Sequence, residues 1–271
     1  MRKALVTGCS RGIGHALTLA LLADGWRVHG VSRTLPLISD PLFSWGRVNF
    51  GSAYQVDFIR RDLQDDGPLD ALIHCAATQG PVGPVDESDA LAWSHAITVN
   101  LEGAYLAVRA ALPYLHRSDD ARILLLSGGG AFTPRPRYSA YAAAKAGVVA
   151  LAEALAEEER GRVAVNCVAP GFVPTGMHGV TVAAGREAAG PAWGETVRRL
   201  READGSELAR AVACIRHLLS DDARGLTGKS VSAEWDDWRS ITAEAVPALN
   251  ASRVWTRDRV TAAEPARERV A

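Results

Sequence analysis

Tyr141 and Lys145 stand four residues apart, one turn of a helix. A tyrosine hydroxyl titrates near pH ~10 and gives up its proton reluctantly at neutral pH. An ammonium group one turn away favours the phenolate, which suits the hydroxyl to general acid–base work. Lysine is scarce here: Lys3, Lys145 and Lys229 are the whole set, so a lysine at this spacing is informative. Tyr138 has Ala142 at the same offset and lacks that partner. Upstream, Ser127 opens a Ser-Gly-Gly-Gly run, Ser127–Gly130, which places a further hydroxyl near the tyrosine in sequence.

A second group of residues suits an anion. The stretch TGCSRGIG (7–14) lies between a short apolar run and a helical pattern. Gly8 permits a sharp turn, Gly12 lets a ligand approach the backbone, and Gly14 lets the helix pack close to the sheet. With Ser10, Arg11 and Ile13 in the same loop, the helix N-terminus offers unpaired N–H groups to a pyrophosphate. A carboxylate at the end of the second strand would bond ribose hydroxyls. Ser32, Arg33 and Thr34 stand there instead. Two hydroxyls and two guanidiniums, counting Arg11, suit a 2′-phosphate, so NADP(H) is expected over NAD(H).

These residues need a scaffold. Apolar runs predict strands over 3–8, 26–33, 45–50, 69–77, 121–127, 162–171 and 229–235. Helical spacing predicts helices over 13–24, 52–64, 91–115 with a break near Gly103, 138–160 and 206–219. In 52–64 the apolar face is Val56, Ile59 and Leu63. Strands that are apolar throughout and alternate with helices predict a parallel sheet covered on both faces. The polar stretch 239–271 is expected to wrap a neighbouring subunit or to be partly disordered.

The chain has 271 residues, nearly half of them hydrophobic, and a formal net charge of −1. That balance gives no pull toward nucleic acid or an acidic membrane. No apolar run of transmembrane length is present and the N-terminus does not read as a signal peptide, so a cytoplasmic protein is expected. Cys9, Cys75, Cys167 and Cys214 are too far apart for a metal knuckle and are expected as buried thiols, with no metal.

Taken in order, these motifs resemble the short-chain dehydrogenase/reductase family over about residues 3–233. TGCSRGIG is similar to the family's TGxxxGIG loop, and Tyr141/Lys145 to its YxxxK pair. HCAA (74–77) stands where the family has NNAG, bringing Cys75, Ala76 and Ala77 to the cofactor. Asn100, in VNLEG, matches the asparagine that holds a water in the proton relay and lies near the cofactor. PGFVPT (170–175) matches the family's PG motif, which implies cofactor contacts from Pro170, Gly171, Val173 and Thr175. The resemblance implies one doubly wound Rossmann-fold domain over 1–238, of about seven parallel strands with helices on both faces. It also implies a nicotinamide cofactor, a small-molecule alcohol or carbonyl substrate, and a homodimer or homotetramer. The lysine would also bond the nicotinamide ribose.

The resemblance leaves particular positions open. The adenine-side residue is either Asn49, followed by Phe50, or Asp62. Asn49 is preferred because Asp62 would leave no room for the helix over 52–64. The family's serine lies thirteen residues before the tyrosine, where this chain has Gly128. Ser127 is one residue early, and in a strand one residue reverses the side chain. Either Ser127 serves after a local bend, or Ser139 or Thr133 replaces it, or no serine is used. The segment 176–205 is expected to be a mobile lid, with Met177, His178, Val182 and Trp193 as substrate contacts. Trp235 and Trp238 are expected to line the pocket or to seal a subunit interface. The leading expectation is an NADP(H)-dependent oxidoreductase of a ketone or secondary alcohol. The alternative is a dinucleotide-binding sensor or partner subunit with little catalysis.

Overall fold

The computed structural model describes residues 1–52, 56–64 and 67–257. Among these, seven strands form a single sheet: β1 (Lys3–Thr7), β2 (Arg27–Ser32), β3 (Phe43–Arg47), β4 (Ala71–His74), β5 (Ala121–Leu126), β6 (Val163–Ala169) and β7 (Ser230–Ser232). Their spatial order is β3-β2-β1-β4-β5-β6-β7, and every neighbouring pair is parallel. Order reverses between β1 and β4, which opens a crevice at the carboxyl ends of the strands.

The doubly covered sheet follows from side-chain alternation. Leu5, Ile123, Leu125 and Val165 face one layer, which holds helices α2 (Val56–Leu63), α4 (Gly103–Leu115) and α5 (Ser139–Glu158). Ala4, Val6, Leu124 and Val168 face the other, which holds α1 (Gly12–Ala23) and α8 (Ser206–Leu218). The helix α5 is long and apolar enough to cross a bilayer by composition. Here it packs on β5 and β6 and carries Tyr141 and Lys145.

Several boundaries differ from expectation. The third strand runs Phe43–Arg47, not 45–50. Val48 and Phe50 are buried just past its end, so their apolar character marks core contact beyond the ladder. In the second helix, residues 53–55 and the Val56 side chain lie outside the described residues, while Ile59 and Leu63 are buried as expected. The long helix does break, but at a π turn over Thr98–Glu102 between α3 (Ala90–Ile97) and α4. Gly103 itself is helical, packed against the Phe50 ring. The last strand stops at Ser232, where Asp236 takes the Ser232 N–H at 2.6 Å and turns the chain.

Two larger segments take definite form. The lid forms two helices, α6 (Gly179–Ala189) and α7 (Pro191–Glu202), with Gly185 and Gly190 at positive φ as the bends. The described part of the C-terminal tail packs on its own chain. It forms α9 (Val246–Ala251), then Trp255 accepts the Ser230 N–H at 2.8 Å along β7, and Arg257 pairs with Glu153 at 2.7 Å. Residues 258–271 lie outside the described residues. Trp238 is 4 % exposed in this core and bonds the Ala233 carbonyl, so it neither lines the cleft nor seals an interface. Trp235 is 81 % exposed and reaches the cleft. Cys9, Cys167 and Cys214 are buried free thiols, and Cys75 is half-buried.

Candidate active site

The carboxyl ends of the strands surround a cleft of ≈ 960 Å³. Its first wall is the turn from β1 into α1. Gly8 sits at φ 71° and its N–H bonds Val31 O at 2.8 Å. A side chain there would meet the Ala76 backbone at 2.9 Å, and one at Gly14 would strike the Gly8 carbonyl. Close approach, with positive φ at Gly8, requires glycine at both places. Arg11 caps α1 with no side-chain bond, and the first turn holds no acidic residue. Its N–H groups therefore remain free to meet an anion.

The next part of the wall holds Ser32, Arg33, Thr34, Asn49 and Phe50. Ser32 is held by Trp45 Nε1 at 2.9 Å and donates to the Thr34 carbonyl at 2.7 Å, while Thr34 donates to Ser10 at 3.0 Å. Arg11 and Arg33 are exposed at the rim. Asn49 lines the cleft, whereas Asp62 lies 3.4 Å from His29 against β3 and away from it. Cys75, Ala76, Ala77, Ile13, Pro170, Gly171, Val173 and Thr175 complete this half, and Thr175 lies directly over Gly12. Every expected cofactor-side residue except Asn100 therefore lines one cavity, and the pieces present fit a dinucleotide.

Asn100 is fully buried outside that lining. Its amide donates to Thr78 O at 2.8 Å and accepts from Thr78 N at 2.8 Å. Its side chain holds the loop after β4, a contact that helical spacing could not show.

The helix α5 brings Tyr141 and Lys145 to the cleft, 7 % and 2 % exposed. Lys145 Nζ donates to Leu126 O at 2.7 Å and lies 5.7 Å from the Tyr141 ring centre. Burial lowers the lysine to about 8 and raises the Tyr141 hydroxyl above its ordinary value. The charge that opposes this rise at Tyr141 is Arg135, with its guanidinium 5.3 Å from the ring. Lys145, the expected activating cation, thus stands beside Tyr141 desolvated and bonded to a carbonyl, and Arg135 is a second cation at the same ring.

A Cβ at Gly128 would lie 2.6 Å from the Tyr141 hydroxyl, so position 128 faces the tyrosine and a side chain there would require the tyrosine to shift. Ser127, one residue earlier, is 2 % exposed in the cleft wall, with its hydroxyl unpartnered among the described residues. Ser139 accepts from Trp93 at 3.0 Å outside the lining, while Thr133 is exposed within it.

At the substrate end Met177 and His178 line the cleft. His178 stacks on Phe172 with centres 4.0 Å apart, and burial followed by Arg135 lowers it to about 4. Trp193 is elsewhere: it bonds Val182 O at 3.2 Å between the lid helices, under Arg186. Val182 is likewise absent from the lining. The lid is pinned by Tyr138, which donates to Thr181 at 3.1 Å, by Arg137 on Glu187 O at 3.0 Å, and by Arg199 on Glu234 at 2.8 Å. Sequence reasoning missed Arg135, Phe172, Arg199 and Glu234 in this wall. The Pro-Arg-Pro-Arg string before Tyr138 was the available signal for Arg135.

Known proteins resemble this chain in sequence and fold. The family model for short chain dehydrogenase matches residues 2–184. The chain is 31 % identical over 239 residues to the 3-oxoacyl-(acyl-carrier-protein) reductase FabG of Haemophilus influenzae, covering 84 % of this chain and 94 % of that one. It is 31 % identical over 200 residues to the chloroplastic NADPH-dependent aldehyde reductase 2 of Arabidopsis thaliana, covering 65 % and 74 %. The ligand-free aldohexose dehydrogenase of Thermoplasma acidophilum superposes with a TM-score of 0.74 at 24 % identity, covering 85 % and 91 %, which shows a shared fold. A glycine turn opening α1, a Tyr-Lys pair on α5 and a family match over two thirds of the length converge: the chain belongs to the short chain dehydrogenase family of oxidoreductases.

Proposed function

We propose that the protein is an NADP(H)-dependent oxidoreductase interconverting a ketone or aldehyde and its alcohol. The carrying observation is that the anion-accepting turn at Gly8–Gly14, the Ser32-Arg33-Thr34 corner and the Tyr141 hydroxyl line one continuous cleft. The bound nicotinamide would supply or accept the hydride. In the reducing direction the carbonyl carbon gains a C–H bond and its C=O π pair moves to oxygen. Tyr141 gives its hydroxyl proton to that oxygen and is left as phenolate. Lys145 and Arg135 supply positive charge nearby. Oxidation runs the same steps backward.

Preference for NADP(H) rests on Arg11 and Arg33, exposed at the ribose corner, with the hydroxyls of Ser32 and Thr34 beside them. The relative named as an NADPH-dependent aldehyde reductase supports the same choice. A cytoplasmic homodimer or homotetramer fits the family, and light scattering reads the assembly.

A second reading, a dinucleotide-binding sensor or partner subunit with little turnover, is favoured by the bare Gly128 at the tyrosine. NADPH absorbance followed over a panel of aldehydes, ketones and sugars separates the two. Oxidation of NADPH with at least one carbonyl supports the enzyme. Tight NADPH binding with no oxidation across the panel supports the sensor.

A further inference from the structure

The substrate end of the cleft holds charges that do not cancel. Its carboxylates are Glu234 and Asp236. Glu234 is paired with Arg199 at 2.8 Å and accepts the Phe172 N–H at 3.3 Å. Asp236 accepts the Ser232 N–H at 2.6 Å. Among the described residues no carboxylate lies within ion-pair distance of Arg135. A half-buried guanidinium without a counter-anion, in a cleft that excludes part of the solvent, is set up to receive one.

Arg135 is also held in place. Pro134 and Pro136 flank it, fixing the φ of both neighbours and restricting the backbone of Arg135 itself. Its guanidinium lies 4.4 Å from the Tyr138 ring centre and 5.3 Å from that of Tyr141. The glycine turn is shaped to admit it: a Cβ at Gly129 would come within 3.1 Å of Arg135 Nη1. The bare run after Ser127 thus opens space for two groups, the Tyr141 hydroxyl at Gly128 and the Arg135 guanidinium at Gly129.

We infer that Arg135 is a substrate-anchoring residue, and that the natural substrate is an oxo acid whose carboxylate lies a few bonds from the carbonyl. The guanidinium fork takes the carboxylate while the carbonyl oxygen sits at Tyr141. Arg135 then supplies through the substrate the orientation that a serine at position 128 would have given directly. The inference rests on the oxidoreductase reading above and narrows it to a substrate class.

The test compares acetoacetate and levulinate with their methyl esters, and dihydroxyacetone phosphate with dihydroxyacetone, in NADPH oxidation by wild type, Arg135→Gln and Arg135→Lys. Wild type should favour the acids over their esters by about 10- to 100-fold in kcat/KM, the worth of a charge-assisted hydrogen bond. Arg135→Gln should bring that ratio to about one, mostly through KM, with the NADPH KM moving less than about twofold, and Arg135→Lys should keep part of the preference. A ratio at or below one in wild type, or one unchanged in Arg135→Gln, overturns the inference. A rise in NADPH KM with the ratio intact would assign Arg135 to the cofactor instead. A stronger preference for the phosphate than for either acid would overturn the carboxylate. Calorimetric titration of each acid and ester into NADP+-saturated protein keeps the question open to decision without turnover: acid retained by wild type and lost in Arg135→Gln supports the anchor, and equal binding refutes it. NADPH left unoxidised by every compound, with acids still retained through Arg135, would sink the oxidoreductase reading and leave the anchor standing.

Discussion

The two ends of the cleft are built by different means. At the nucleotide end the backbone does most of the shaping: Gly8 and Gly14 occupy places where a Cβ would strike main-chain atoms, and α1 leaves its first N–H groups uncapped. At the substrate end the shape comes from side chains drawn from distant segments. Arg135 precedes α5, His178 opens the lid, Arg199 lies on α7, and Glu234 follows β7. Backbone shaping depends on residue types at fixed local spacing, whereas side-chain shaping depends on tertiary packing.

The largest expected effect that separates the ends is on chemistry alone. Tyr141→Phe should lower kcat by about 100- to 10,000-fold, while the NADPH dissociation constant changes little. Arg33→Ala should do the converse, reducing the preference for NADPH over NADH by about 10- to 100-fold with kcat nearly kept. Kinetics with both cofactors checks each.

A smaller effect sharpens the substrate-end account. Gly128→Ser restores the family's residue, yet its Cβ would lie 2.6 Å from the Tyr141 hydroxyl. The tyrosine must move, and kcat/KM should fall by about tenfold. A gain in activity would mean that the serine was simply missing. The smallest effect is on pH. Lys145 is lowered from its ordinary 10.5 to about 8, so kcat/KM for reduction should decline as pH rises through about 8 and the ammonium is lost. Because its folded value lies below its unfolded one, folding releases this proton between about 8 and 10.5. Its contribution to stability therefore rises with pH across that window, and the Lys145→Met variant should flatten both trends.

This division also explains what could be read from the sequence. The parallel sheet was legible because Leu5, Ile123 and Val165 belong to strands apolar on both faces. The glycine turn and the Tyr141/Lys145 pair were legible because their spacing is local. The ends of β3 and β7 were misplaced because Val48, Phe50 and Ala233 are buried beyond the ladders, and burial looks like strand in a sequence. Trp193 was expected at the pocket from its place in the lid, but the fold of α6 on α7 takes it away from the cleft. Arg135 was overlooked because a loop arginine gains meaning only when no carboxylate is found to pair with it.

The most direct measurement follows the hydride itself. The protein would be given a reducible carbonyl and NADPH deuterated on the transferred face, and the alcohol product analysed by mass spectrometry and NMR. Deuterium on the carbinol carbon in wild type, and its loss in step with turnover in Tyr141→Phe, is the expected result. Product free of deuterium, or formed equally by Tyr141→Phe, would contradict the claim that cofactor and Tyr141 meet over one carbonyl in this cleft.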